Sequence, residues 1–436
     1  MKTKIIALAA ATLALGSSAF ADVTVNITGA TAFRVATLDS IKGRFQASGA
    51  PWAMAFAGSG SFNANNQVIF QGTFPDVPGV TTIRTSFNGS VEGIKALVDS
   101  PASDPDYLQV SAVSGITKVA GGNNAGNGQS GLIAGAEKAA SDIAFSDVGI
   151  AATPFAGTTL QPSAPEAGVV VFSMVANDGA PASLTNLNTQ NFRALMSQGR
   201  QRLSFITGNA ADTQFVYATG RNDGSGTRTT YLAESGFGIA NIVSQYVVGS
   251  SSGDNITAIY RVPALGTNAQ IAALSLAQSA ANASTIWNTN QVGNGGYSSS
   301  SSLRNDMGRK SDTTMVYSAT GTIQQSNAGI SMVTFMSAGD AGPAKIAGAK
   351  VLAYNGVLLN GLANAGAMDT ADEDKVENGA YTAWSYQQMY RAADITTGDK
   401  VTVYDAIKNN LVLGTTGIPT ANMNVGRQVD GGVVLP

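Results

Sequence analysis

Cysteine and histidine are both absent from the 436 residues of this chain. The first absence excludes disulfide frameworks and thiol nucleophiles; the second excludes imidazole general bases and every triad built on one, and together they exclude Cys/His zinc sites. Charge is scarce too. Charged residues make up 12% of the chain, about half the ~25% usual in soluble domains. The chemistry left to the chain belongs to hydroxyls, carboxylates, arginine and backbone amides. No nucleophile–base constellation is visible among these, so the chain is read as a binding protein and not as an enzyme. It has ample material to fold: 44% of residues are hydrophobic, and the length suggests about two or three domains with proper cores.

The N-terminus reads as an export leader. Lys2 and Lys4 precede an apolar run from Ile5 to Leu15, and Ala19-Phe20-Ala21 is a small-x-small cleavage site, so residues 1–21 form a signal peptide and the mature chain begins at Asp22. The run is shorter than the ~20 residues that span a bilayer, and no membrane span remains after cleavage. Loss of the two lysines leaves 23 basic against 28 acidic residues, a net charge of −5. A weakly acidic surface argues against nucleic acid as a partner. The expected location is periplasmic or secreted.

Along the mature chain, apolar runs bounded by Gly, Asn and Pro alternate with helix-period segments, which is α/β construction. Val23 to Ile27 alternates as a strand, then Phe33, Val35, Leu38 and Ile41 recur at helical spacing. Further strands are predicted at Ile143 to Phe145, Val169 to Val175 and Phe215 to Ala218. Helices are predicted around Ile94 to Val98, from Thr227 to Leu232, and through Ile271, Leu274 and Gln278. Gly121 to Gly128 and the serine run Ser298 to Ser302 read as loops, and the acidic run from Asp369 to Glu377 as a solvated loop. Trp287 and Trp384 read as core residues.

Small polar residues stand where four of these segments turn: Thr31, Ser90, Asp147, and the loop Arg221-Asn222-Asp223-Gly224-Ser225-Gly226-Thr227. Taken singly, each also reads as a turn or a helix cap. Taken together, they suit an oxyanion, because in open α/β sheets ligands bind beyond the carboxyl ends of strands, where helix starts offer unpaired N–H groups. Glycines let backbone approach a ligand, hydroxyls donate, and Arg221 can fork two N–H bonds onto two oxygens.

These residues carry a family resemblance. Ile27-Thr28-Gly29-Ala30-Thr31-Ala32-Phe33, Asn88-Gly89-Ser90-Val91-Glu92-Gly93-Ile94-Lys95, Asp142-Ile143-Ala144-Phe145-Ser146-Asp147 and Arg221 to Thr227 resemble, in order, four motifs of the periplasmic phosphate-binding proteins that serve phosphate ABC importers. Gly295 to Ser299, Ala328-Gly329-Ile330 and Gly379 to Tyr386 resemble later landmarks of divergent members. The resemblance implies a type II periplasmic-binding fold: two lobes with mixed central sheets flanked by helices, joined by crossover strands. Residues 22–165 plus 383–436 would form lobe 1 and 166–382 lobe 2. It implies that inorganic phosphate is held between the lobes by Thr31, the backbone at Ala32 and Phe33, Ser90, Asp147, Arg221, Ser225, Gly226 and Thr227, with no metal or other cofactor, for delivery to an importer permease. Asp147 would discriminate, since an ionised carboxylate only accepts hydrogen bonds and so prefers a protonated oxyanion over sulfate. The bound phosphate itself would then be the only group in the site titrating near neutrality.

The chain departs from the family pattern at three places. One residue is missing between Gly29 and Thr31, Val91-Glu92 replaces a small Ser-Gly pair, and segments near 52–82 and 100–140 enlarge the first lobe. An alternative reading is a secreted or surface structural or adhesion protein that keeps the binding fold without a transport role.

Overall fold

The computed structural model describes residues 22–58, 61–124, 136–162, 165–262, 295–297, 299–312, 314–318, 323–411 and 417–436. The proposed leader, the helix expected through Ile271 to Gln278, and Trp287 lie outside the described residues. Among the described residues no helix is long and apolar enough to cross a membrane.

The longer strands run in the order β1 (Val23–Gly29), β2 (Pro51–Phe56), β3 (Gln67–Gly72), β4 (Thr81–Ser86), β5 (Ile143–Ser146), β6 (Glu166–Ala176), β7 (Phe215–Ala218), β8 (Tyr246–Ser252), β9 (Asn255–Arg261), β10 (Thr314–Tyr317), β11 (Ile323–Ala328), β12 (Ser331–Ser337), β13 (Lys350–Tyr354) and β14 (Trp384–Arg391). The helices that matter for the site are α1 (Arg34–Ala47), α2 (Ser90–Val98), α3 (Thr189–Gln198), α4 (Gly226–Glu234), α5 (Ser300–Met307), α6 (Ala338–Ile346), α7 (Thr370–Glu377) and α8 (Asp399–Asn409). This is a mixed α/β fold. Its large sheet runs β7-β12-β6-β14-β5-β1-β4-β3-β2, and β8 to β11 form a separate four-stranded sheet.

β6 joins the two halves of the large sheet. Its first residues, Glu166 to Val171, pair antiparallel with β14, and its last, Phe172 to Ala176, pair antiparallel with β12. The strand reads Glu-Ala-Gly-Val-Val-Val-Phe-Ser-Met-Val-Ala and is buried from Gly168 onward. A near-continuous apolar run of this kind suits a strand covered on both faces. β14 also pairs with β5, so β6 and β14 lie side by side at the middle of the sheet.

The segment near 52–82 is part of this sheet. β2 and β3 extend it beyond β4, and they bring Trp52 and Phe70 against Phe45 of α1, each with ring centroids 5.9 Å away. Within 100–140, the short strand Asp106–Leu108 pairs with Ala136–Lys138, and Arg84 of β4 forms an ion pair with Glu137. Both segments therefore build core and sheet edge.

Two expected loops are ordered differently. Of the serine run, Ser299 precedes α5 and Ser300 to Ser302 form its first turn, while Leu303 and Met307, four residues apart, are buried on one face. Serine favours helix starts because its hydroxyl competes with the helical backbone hydrogen bond least there. The acidic run forms α7, where the Asp369 side chain caps the helix by accepting from the amide of Asp372. Asp372 is itself buried and accepts from the amides of Asn360 and Gly361 at 2.7 and 2.8 Å. Val35, expected on the inner face of α1, is exposed, while Leu38 and Ile41 are buried.

The C-terminal segment is fastened across the middle of the molecule. Arg427 forms a buried ion pair with Glu234 of α4 at 3.0 Å and lies over the ring of Trp384. Three residues on, Asp430 accepts from the amide of Gly149 at 2.7 Å.

Candidate functional site

Sheet register sets the site. β1 runs parallel to β4 from Val23↔Thr81 to Thr28↔Ser86, and parallel to β5 from Ile27↔Ile143 to Gly29↔Phe145. Their carboxyl ends therefore share one edge, from which Thr31, Ser90 and Asp147 emerge. In the other half, β7 and β12 are parallel, so the Arg221 loop and the start of α6 also share an edge. The two groups of loops meet: the amide of Val91 donates to the carbonyl of Gly224 at 3.2 Å.

Glycine makes that meeting feasible at two positions. Gly89 has φ +125°, and a Cβ there would fall 2.5 Å from the Gly224 carbonyl oxygen. At Gly226 a Cβ would fall 2.2 Å from Ser90 Oγ and 3.1 Å from Asp147 Cβ. Real side chains do not tolerate such distances, so the start of α4 seats against Ser90 and Asp147 only because residue 226 lacks one. The sequence motif Gly-Ser-Gly-Thr thus serves a close approach of two helix starts, whose first amides have no intrahelical partner.

Asp147 lies at the centre. Its amide donates to Ser90 Oγ at 3.0 Å. Its carbonyl accepts from the hydroxyls of Ser385 and Thr230. The carboxylate atom Oδ1 is buried with no hydrogen-bond partner among the described residues. Burial pushes the Asp147 carboxyl up to about 7, against the opposing pull of Arg221 and of the hydrogen bond with Ser90. This corrects the expectation that phosphate alone would titrate near neutrality. Desolvation of a fully enclosed carboxylate outweighs a single arginine whose charge is also shared with Asp340.

Arg221 is equally enclosed, and burial draws its guanidinium down to about 10, so it remains charged at neutral pH. Nε donates to the Tyr297 carbonyl at 3.0 Å, and Nη1 donates to Thr31 Oγ1 at 3.3 Å and to Ser300 Oγ. The Arg221 carbonyl accepts from Gln245 and from Arg228, at 3.1 and 3.3 Å. One cation and one amide thus hold the backbone of the loop at Arg221. Ser225 caps α4, accepting from the amide of Arg228 at 3.4 Å, and Thr227 is buried in the first helical turn.

The structure brings Ser90, Asp147, Ser225, Gly226 and Thr227 into one cluster around the start of α4. Arg221 links this cluster to Thr31. Ala32 and Phe33 stand to one side: together with Thr31 they border a cavity of about 420 Å³ between α1 and α6, and Phe33 packs on Phe145 at 6.2 Å. Glu92 is exposed by surface area, but its side chain lies over Gly224 of the Arg221 loop, and partial burial there raises its carboxyl above the usual range.

Several residues of the site escape sequence reasoning. Ser300 sits in the serine run and gave only a loop signal; its role is visible through Arg221 alone. Gly296, within the quoted Gly-Gly-Tyr landmark, is required because a Cβ there would lie 2.5 Å from the Arg221 carbonyl oxygen. Gln245, Arg228 and Asp340 carry no motif and act by supporting or balancing Arg221.

No family model matches the chain, and no curated protein matches it. Among solved structures it is similar to an ABC-type phosphate transport receptor from Vibrio cholerae, at 12% identity over 89% of this chain and 94% of that one with a TM-score of 0.38. It is also similar to PstS from Borrelia burgdorferi, at 11% identity over 91% of this chain and 98% of that one with a TM-score of 0.33.

Proposed function

We propose that the protein is an extracytoplasmic receptor that binds hydrogen phosphate between two lobes, residues 22–165 with 383–436 and residues 166–382, and presents it to an ABC importer permease after removal of a leader at residues 1–21. The observation that carries this reading is the meeting of Ser90 and the start of α4 at Asp147, whose buried Oδ1 has no hydrogen-bond partner among the described residues. A buried polar atom left unsatisfied costs about 1–3 kcal/mol, more when charged. A ligand that donates a proton to it recovers that cost, and hydrogen phosphate carries such a proton.

The other groups supply donors. Arg221 brings the formal charge; Ser90, Ser225, Thr31 and Thr227 bring hydroxyls; the first amides of α4 bring backbone N–H groups and the positive end of the helix dipole. Closing the lobes around the anion would bury it and shift the population toward the closed form. Discrimination against sulfate follows from proton count. Above pH 7 the Asp147 carboxylate is ionised and repels a fully ionised oxyanion; below pH 7 it holds a proton and can donate to one. Sulfate affinity should therefore rise about tenfold for each unit the pH falls toward 7 and then level off, while affinity for hydrogen phosphate stays flat above pH 7. Isothermal titration of phosphate, arsenate, sulfate and molybdate at pH 6.5 and 8.5 tests this. Sulfate binding that is the same at both pH values would remove Asp147 from the discriminating role.

A further inference from the structure

The cavity beside Thr31 is larger than a caged orthophosphate requires. At about 420 Å³ it falls in the range of pockets that enclose small organic ligands. One wall is the start of α1, the other is Arg304 of α5 with the start of α6, and Val170 of β6 lies at its base. It is polar and charged. Arg34 enters from α1, its guanidinium held by Asn66 Oδ1 and the Asn63 carbonyl. From the opposite side Arg304 pairs with Asp340 at 3.5 Å, and Asp340 also accepts from Ser337 Oγ at 3.0 Å.

The cavity and the anion cluster share a residue. Thr31 borders the cavity, and its Oγ1 accepts from Arg221 and lies 3.1 Å from Ser300 Oγ. The charges are joined as well, because Asp340 and Arg34 both act on the Arg221 guanidinium. Thr31 is thus the residue common to the cavity and to the partners of Arg221. The lining of the cavity carries donors (Arg34, Arg304, Ser337) and carboxylate acceptors (Asp39, Asp340), which matches hydroxyl groups that both donate and accept.

Resting on the receptor reading above, we propose that the carried ligand is a small hydroxyl-bearing phosphomonoester, its phosphoryl group held by Arg221 and Asp147 and its carbon chain lying in the cavity between Arg34 and the Arg304–Asp340 pair. The carboxyl of Asp147 is suited to this, because a monoester ionised twice has no proton of its own and needs one from the protein, and Asp147 retains its proton up to about pH 7.

The test is isothermal titration of the purified protein at pH 6.5 with orthophosphate, glycerol 3-phosphate and glucose 6-phosphate, repeated with Arg304→Ala and with Asp340→Asn, each variant first shown to melt cooperatively. The expected result is that at least one ester binds ten or more times tighter than orthophosphate, and that either variant removes most of this advantage. If orthophosphate binds while both esters bind no better, or if both variants leave the ester advantage intact, the cavity is only an entry path and the monoester proposal is overturned, while the phosphate-receptor reading stands. If none of the three binds, the receptor reading fails and this proposal with it.

Discussion

Asp147→Asn should change how stability depends on pH. A carboxyl raised from 3.8 to about 7 in the folded protein keeps its proton over a range in which the unfolded chain has lost it. The unfolded state therefore binds fewer protons between those values, and stability falls as pH rises through the window, levelling above pH 7. With one pKa unit equal to about 1.36 kcal/mol, this single group lowers stability by about 2.5 kcal/mol between pH 5 and pH 8. The asparagine variant has no such term. Thermal or urea unfolding of both proteins at pH 5 and pH 8, without ligand, should show the wild type losing about 2.5 kcal/mol more than the variant over that interval. Asp430, pushed up to about 6 by burial, titrates in the same interval in both proteins, and its coupling to Asp147 is the smallest of the influences on that carboxyl. Any constant effect of the substitution cancels in the difference. Equal pH slopes for the two proteins would refute the placement of an enclosed, poorly compensated carboxyl at residue 147.

Three further outcomes follow from packing. Gly226→Ala would place a Cβ 2.2 Å from Ser90 Oγ, so a stability loss of about 1–3 kcal/mol should accompany a loss of phosphate affinity larger than that of a surface glycine such as Gly157, measured by unfolding and titration. Trp52→Ala removes a buried ring that contacts Phe45 and Phe70 and should cost about 3–5 kcal/mol in urea unfolding; a loss under 1 kcal/mol would show that the 52–82 segment does not belong to the core. Arg427→Ala leaves Glu234 buried without its ion pair and should cost about 3–5 kcal/mol, partly recovered at low pH, where Glu234 takes up a proton; unfolding at pH 4.5 and pH 8 shows whether it does.

The strand ends were legible in the sequence because each couples a short apolar run to a polar turn. Ile143 to Phe145 before Asp147, and Phe215 to Ala218 before Arg221, are the two sharpest cases, and both strands occur with bounds within one residue of those expected. Local signals of this kind survive because the turn chemistry and the buried strand agree. What tertiary contact decides was not legible. Ser300 becomes a partner of Arg221 only when residues 79 positions apart are brought together, and nothing in a run of serines distinguishes a helix start from a loop. The titration of Asp147 was misjudged for the same reason: residue types showed a carboxylate near an arginine, but burial, which dominates, is a property of the packed loops. The acidic run at 369–377 misled because charge suggested solvent, whereas Asp372 is turned inward onto two backbone amides.

The central claim is that Asp147 and Arg221 together hold an oxyanion, and titration of phosphate into the purified protein, stripped of bound ligand and compared with Arg221→Ala, tests it most directly. Loss of a charged donor from an enclosed site costs about 1.5–3 kcal/mol per hydrogen bond, so saturable binding at one site per chain is expected in the wild type and binding about a hundredfold weaker in the variant. Heat that is flat for the wild type, or an affinity unchanged by Arg221→Ala, would contradict the account.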